Sequence, residues 1–282
     1  MPRPRSRARR TPALVTLTSD LGAAYAAQMK AVLARALPPG HVIDLTHDLS
    51  AHRIGEAAFL LRAMARSFPA GTVHVAVVDP GVGGRRAPIV IRCRDGSWLV
   101  GPDNGVLAPL AEALRGARAW RIEPAGGSGP RVGSTFDGRD LFAPTAARLA
   151  LGASPGSIGR PHRFHRLRLP QAERRPGGAR GEIVHIDRFG NLITNVPSDW
   201  IPVGSTQLSV RWGRRRARVL PWAITYEHLP RRALGAVPSS FGLVEVARRE
   251  GRASAVGPSR VGMPIEVRWT RAVSSRPASV RA

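Results

Sequence analysis

The chain has 282 residues, 43% of them hydrophobic, a mean hydropathy of -0.13 and a formal net charge of +24. That length can bury a full core and is expected to form two domains, while no apolar run approaches the ~20 residues needed to cross a bilayer. Met1 to Arg10 is basic without the apolar centre of a secretory signal, and the single cysteine, Cys93, excludes an internal disulfide and points to a reducing cytoplasm.

The charge invites a nucleic-acid reading, which its distribution does not support. Lys30 is the only lysine, the arginines are scattered, and clusters such as Arg214-Arg215-Arg216 are short. Aromatic residues make up 5% and do not interleave with the basic runs as a stacking platform requires. Solvated arginine and no specific nucleic-acid partner are expected.

Leu14 to Thr18 reads as a strand ending at Ser19-Asp20-Leu21-Gly22. A helical pattern follows, with Met29, Val32, Leu33, Ala36 and Leu37 on one face. Asp20 suits either a helix N-cap or a carboxylate that accepts ribose hydroxyls at a strand end. Val42 to Leu45 reads as a strand and Ile54 to Phe68 as a helix. Val73 to Val78 is the continuous apolar run of a strand covered on both faces.

That run delivers Asp79 into Pro80-Gly81-Val82-Gly83-Gly84-Arg85-Arg86, an acid on a glycine-rich turn with guanidinium groups close behind. Such a segment builds either a polar site at a sheet edge or a plain Asp-Pro turn beside solvated arginines. Ile89 to Ile91 and Trp98 to Val100 read as strands. Gly101-Pro102-Asp103-Asn104-Gly105 reads as an Asx-turn or cap opening a helix over Val106 to Leu114. Ser134-Thr135-Phe136-Asp137-Gly138-Arg139-Asp140 precedes another helix, Ala143 to Leu151. This alternation predicts an α/β layer domain with a largely parallel sheet over 13–165, behind a disordered basic tail over 1–12.

Residues 166–180, rich in Arg, Pro and Gly, read as a linker. Short β-like runs follow at Gly181 to Ile186, Leu208 to Trp212, Ala217 to Leu220, Leu243 to Ala247 and Ile265 to Trp269. They predict a smaller antiparallel barrel-like or sandwich domain over 181–272, with a disordered tail over 273–282. Within it Asp187 stands ahead of Phe189-Gly190-Asn191. Asn191 is either a turn residue or an amide matched to the edge of adenine, with Phe189 placed to stack.

His41, His47, His52 and His74 have no cysteine partner and no His-Glu-x-x-His spacing, so no metal site is expected. Gly-x-Gly-x-x-Gly, P-loop and Gly-x-Ser-x-Gly patterns do not occur, which removes the usual anchors of dinucleotide, ATP and serine-hydrolase chemistry.

Taken in order, these segments, with Ile43-Asp44-Leu45-Thr46-His47 and Ser239-Ser240-Phe241-Gly242-Leu243-Val244-Glu245-Val246-Ala247, resemble the S-adenosyl-L-methionine hydroxide adenosyltransferases, hydrolase relatives of the bacterial fluorinase and chlorinase. The resemblance runs from about Val15 to Trp269. It implies a homotrimer with sites between one subunit's N-terminal domain and the next subunit's C-terminal domain. It also implies hydrolysis of S-adenosyl-L-methionine to adenosine and methionine, without a cofactor. Asp20 would hold the ribose, Asp187 and Ser240 the methionine end, and Asn191 the adenine, with Phe189 and Phe241 among the binding residues. Asp79 occupies the position that is an acid in the hydrolases and a tyrosine in the halogenases, and Arg86, rather than its neighbour Arg85, stands at the spacing of the accompanying arginine.

Two positions depart from the family pattern. The histidine that completes an Asp-Arg-His set is Asp137 here, so the implied catalytic group is Asp79, Arg86 and Asp137. Two acids at that separation require Arg86 or Arg139 between them, or a shared proton. The replacement is also compatible with a protein that binds an adenosyl ligand without turning it over. The Asp20 loop, Gly22-Ala23-Ala24-Tyr25, is shorter than the family's and lacks its second acid.

Overall fold

A computed structural model describes residues 11–116, 118–123 and 135–269. Residues 1–10 and 273–282 of the expected tails, and Ser134, lie outside the described residues. The chain divides into two compact units that meet between Leu169 and Pro170.

The first unit follows the order β1 (Val15–Ser19), α1 (Gly22–Ala34), β2 (Val42–Thr46), α2 (Ile54–Ala65), β3 (Val73–Val77), β4 (Pro88–Arg92), β5 (Trp98–Pro102), α3 (Ala108–Ala113), β6 (Arg118–Ile122), α4 (Ala143–Ala150) and β7 (Gly159–His162). Its seven strands form one sheet in the order β2-β1-β3-β5-β4-β6-β7. The β2-β1-β3-β5 half is parallel, as expected, whereas β5-β4-β6-β7 pair antiparallel, so the sheet as a whole is mixed. The switch has a local cause. β4 and β5 are joined by Cys93 to Ser97, where Gly96 takes φ +87°, too short for the crossover a parallel pair needs.

All five residues of β1 and all five of β3 are buried, because helices cover both faces of the sheet. Val15, Leu17, Val73, Val75 and Val77 pack with Met29 and Leu33 of α1 and with Phe142, Ala146 and Leu149 around α4. Helix α2 packs on β1, β3 and α3. The close approach of β5 to β3 requires a glycine, since a Cβ at Gly101 would sit 2.4 Å from the Ala76 carbonyl oxygen.

The second unit is all antiparallel: β8 (Glu173–Arg175), β9 (Gly178–Ile186), β10 (Leu192–Pro197), β11 (Gln207–Trp212), β12 (Arg218–Pro221), β13 (Leu234–Pro238), β14 (Leu243–Arg248) and β15 (Pro264–Trp269). The strand order is β12-β11-β15-β9-β10-β14-β13, with β8 added on β9. A bridge between Trp222 and Ala236 brings the two ends together, which nearly closes the sheet into a barrel. Strand β9 serves both halves, pairing with β15 through Gly178 to Glu182 and with β10 through Ile183 to Ile186. Residues 173–175 and 178–180, expected as linker, form a hairpin because Pro176-Gly177 makes a turn with Gly177 at φ +68°. Ile183, Leu192, Val210, Trp212, Val244, Val246, Ile265 and Val267 fill the interior. Among the described residues no helix is long and apolar enough to cross a membrane.

Candidate active site

The parallel half of the sheet places the C-terminal ends of β1, β3 and β5 along one edge, the usual position for a site in an open α/β sheet. Asp20 follows β1, Asp79 follows β3 by two residues, and Asn104 follows β5 by two. Asp137 reaches the same edge from a wide π-helical turn, Gly138–Phe142, whose geometry shows in the Ala143 amide bonding to the Gly138 carbonyl five residues back. Asp20, Leu21, Ala51, His52, Val77, Asp79, Val82, Thr135, Phe136, Asp137 and Gly138 line a cavity of about 230 Å³.

Arg86 is clamped between the two acids of the expected catalytic group. Its Nε lies 3.0 Å from Asp79 Oδ1 and 2.8 Å from Oδ2, its terminal nitrogen also bonds Asp79 Oδ2, and the same nitrogen lies 2.5 Å from Asp137 Oδ2. The side chains of Asp79, Arg86 and Asp137 keep only 5%, 12% and 11% of their surface in solvent, so these are interior ion pairs. Burial opposes the Arg86 charge, and the bonds to Asp79 and Asp137 outweigh it, raising the guanidinium above its ordinary range. Arg86 also lies over the Phe142 ring, 5.7 Å from its centroid. Arg85 is exposed, and Arg139 is engaged with Asp140 and Gln28. Of the two arginines that could separate the acids, Arg86 does so.

The backbone supports this arrangement at two glycines. A Cβ at Gly81 would meet Arg86 Cγ at 3.2 Å, so the bare glycine lets the arginine fold back over the turn. A Cβ at Gly138 would meet the Phe136 ring at 2.9 Å and Met29 Sδ at 3.1 Å. Asn104 does more than the expected Asx-turn. Its Oδ1 accepts the Val106 amide at 3.2 Å, and its Nδ2 donates to the Val78 carbonyl at 2.8 Å, tying down the residue before Asp79.

The N-cap reading of Asp20 does not hold. Helix α1 starts at Gly22 with Leu21 at the cap and no side-chain cap bond. Asp20 Oδ2 instead accepts the His52 amide at 2.8 Å, and Asp20 lines the cavity. The preceding Ser19 is held by His47, whose Nδ1 lies 2.7 Å from Ser19 Oγ and whose Nε2 lies 3.1 Å from Asp44.

In the second unit Asp187 organises its own turn. Oδ1 accepts the amides of Phe189 at 2.9 Å and Asn191 at 2.8 Å, and Oδ2 accepts Asn191 Nδ2 at 3.0 Å. Asn191 is thus a turn residue, its amide buried and oriented by Asp187, with Gly190 at φ +82°. Phe189 is 60% exposed under the Arg188 guanidinium. Ser240 is exposed and Phe241 half-buried in the β13-β14 turn, which Ser239 braces by accepting the Phe241 and Leu243 amides. Glu245, unremarked as a site residue in the sequence, is buried beside this turn and accepts the Tyr226 hydroxyl at 2.7 Å. Burial and the nearby Asp187 raise its carboxyl above the ordinary range, against the lowering effect of Tyr226.

An α/β unit presenting two acids on one arginine at its strand ends, followed by a nearly closed β unit, defines a two-domain protein with a charged site at the edge of its first sheet. The chain belongs to the S-adenosyl-L-methionine hydroxide adenosyltransferase family: its N-terminal domain model matches residues 15–159 and its C-terminal domain model residues 181–266. A relative from Thermus thermophilus named (R)-S-adenosyl-L-methionine hydrolase is 40% identical, covering 90% of this chain and 98% of its own. One of the same name from Salinispora arenicola is 38% identical over 85% and 92%. A fluorinase from Actinoplanes is more distant, 25% identical over 65% and 71%. The crystal structure of an uncharacterized conserved protein from Thermotoga maritima superposes with a TM-score of 0.82 at 31% identity, over 90% of this chain and 99% of that one.

Proposed function

We propose that this protein hydrolyses S-adenosyl-L-methionine to adenosine and L-methionine, and that Asp79, Arg86 and Asp137 form the water-handling group. Arg86 bonded to both acids at the cavity wall is the observation that carries the assignment of residues. Water attacks the ribose C5′ in line with the departing sulfur, an oxygen–carbon bond forms as the carbon–sulfur bond breaks, and the electron pair leaves with the neutral thioether. A sulfonium is already a good leaving group, so the protein contributes alignment and a poised nucleophile.

Asp20 Oδ1 accepts a ribose hydroxyl, and the Asn191 carbonyl oxygen accepts from the exocyclic amine of adenine, with Phe189 against the ring. Asp187, Ser240 and Phe241 surround the methionine end. A homotrimer whose sites combine domains of adjacent subunits, a cytoplasmic location and the absence of a cofactor complete this reading.

The test is chromatography of products after incubation with S-adenosyl-L-methionine, with and without chloride or fluoride. Equal adenosine and methionine, independent of halide, are expected. Asp79→Asn should lower turnover by about 10³-fold while adenosine affinity changes little. Ligand binding with no product from the native protein would instead select a non-catalytic adenosyl-ligand-binding protein, the alternative that Asp137 in the histidine position permits.

A further inference from the structure

The two acids assigned to the attacking water are both engaged by Arg86. Asp79 gives both oxygens to Arg86, and Asp137 gives it one. Carboxylic acids titrate near about 4, so a carboxylate is a weak base at neutral pH. Imidazole is the side chain that changes protonation between about pH 5 and 8. The position that carries histidine in the family lacks it here, yet a different imidazole lines this cavity: His52.

Three observations together bear on His52. Its ring is exposed and makes no polar contact among the described residues, whereas His47, His74, His162 and His228 are bonded to Ser19, Thr16, Asp103 and Thr225. Its amide donates to Asp20, so the residue is anchored to the acid assigned to the ribose. Its backbone stands at φ +64°, a left-handed conformation that Gly or Asn adopts at less cost than histidine. That left-handed turn sets the residue at the cavity wall beside Asp20.

We propose that His52 accepts the proton of the attacking water, replacing the histidine absent at Asp137; this rests on the hydrolase reading above. As the oxygen–C5′ bond forms and the C5′–sulfur bond breaks, one water proton passes to an imidazole nitrogen. The imidazolium then releases it to solvent, so adenosine, methionine and one proton balance the cationic substrate and water. The charged groups around the cavity are Asp20 after β1, Asp79 after β3 and Asp137 before α4, with Arg86 between the last two and Arg53 next to His52 in the chain.

The experiment compares native protein, His52→Asn and His52→Gly for turnover across pH 5 to 9, adenosine affinity by calorimetry, and thermal midpoint. Both variants keep the Asp20 bond, which is made by the backbone. Expected are thermal midpoints equal to or above native, unchanged adenosine affinity, turnover lower by about 10²-fold or more, and loss of the native fall in rate on acidification. A native protein that turns over while the variants match its rate or keep its acid limb overturns the role of His52 alone. A native protein that binds adenosine and forms no product overturns the hydrolase reading, and the proposal with it.

Discussion

Replacing Arg86 with methionine isolates the electrostatics of the site, since methionine fills similar volume without charge. The substitution removes every bond from Arg86 to Asp79 and Asp137 and leaves two carboxylates facing each other with 5% and 11% of their surface in solvent. Stripping one partner from a buried ion pair costs about 3–5 kcal/mol. Because both acids bond the same guanidinium nitrogen, they lie within roughly 5 Å of each other, and at an effective dielectric near 20 their repulsion adds about 3 kcal/mol. Part of this is relieved when one carboxyl takes up a proton, so the deficit of the variant grows as pH rises from 5 to 8. In the native protein the Arg86 contribution is flat over that window, and the acid slope from His74 is common to both proteins and cancels. The folded-state shift of Arg86 is upward, so its contribution is fully present below the ordinary guanidinium range and is lost only as pH rises beyond it. At about 2–4 °C per kcal/mol for a chain of this size, the midpoint should drop by roughly 10 °C or more at pH 8 and by less at pH 5. Scanning calorimetry of the native protein, Arg86→Met and Asp79→Asn/Arg86→Met measures this, with the double variant recovering part of the loss. A deficit that is independent of pH and unrelieved by Asp79→Asn refutes the account.

Asn104→Ala removes the donor to the buried Val78 carbonyl, so a loss of about 1–3 kcal/mol in denaturant unfolding is expected, together with a fall in turnover at unchanged adenosine affinity. Unaltered turnover would show that Asn104 does not position Asp79. His74, 1% exposed on β3, is pushed down to about 4 by burial. The depressed value means its stabilising contribution is complete above about pH 6.5 and is lost as pH falls toward 4, a change of about 3 kcal/mol. His74→Phe should flatten that acid slope in urea titrations; an unchanged slope would place its origin elsewhere.

Local pattern carried the site as far as local pattern reaches. The apolar run over Val73 to Val78 had to be a covered strand, and the acid, glycines and arginine behind it had to form a polar turn, which is what surrounds Asp79. The partnership of Arg86 with Asp137, 51 residues on, follows only when α4 is folded back on the sheet. Asp20 illustrates the converse: an acid before a helix reads as a cap, but the amide of His52 is a partner that no local window contains. Strands β6 and β7 left little trace because Arg118-Ala119-Trp120-Arg121 and Gly159-Arg160-Pro161-His162 lack an apolar run, and these strands pair at the open end of the sheet. Glu245 was hidden for a related reason. An acid inside Leu243-Val244-Glu245-Val246 suggests a solvent-facing position, yet near closure of the barrel buries the strand from Val244 to Ala247.

The cavity inverts the charge of the chain. A protein of net charge +24 lines this pocket with Asp20, Asp79 and Asp137 and brings one guanidinium to them. Four-fifths or more of each catalytic-group side chain is withdrawn from water, so the imbalance is weakly screened. A sulfonium is drawn toward such an excess of carboxylate, by about 3 kcal/mol for one charge at roughly 5 Å and an effective dielectric near 20, and a halide is repelled by as much. Water carries no net charge and enters without that penalty. Under the proposed assignment, the acid at position 79 acts by sign as well as by hydrogen bonding. A second acid at position 137 would strengthen that discrimination, because Arg86 compensates only one of the two carboxylates that share it.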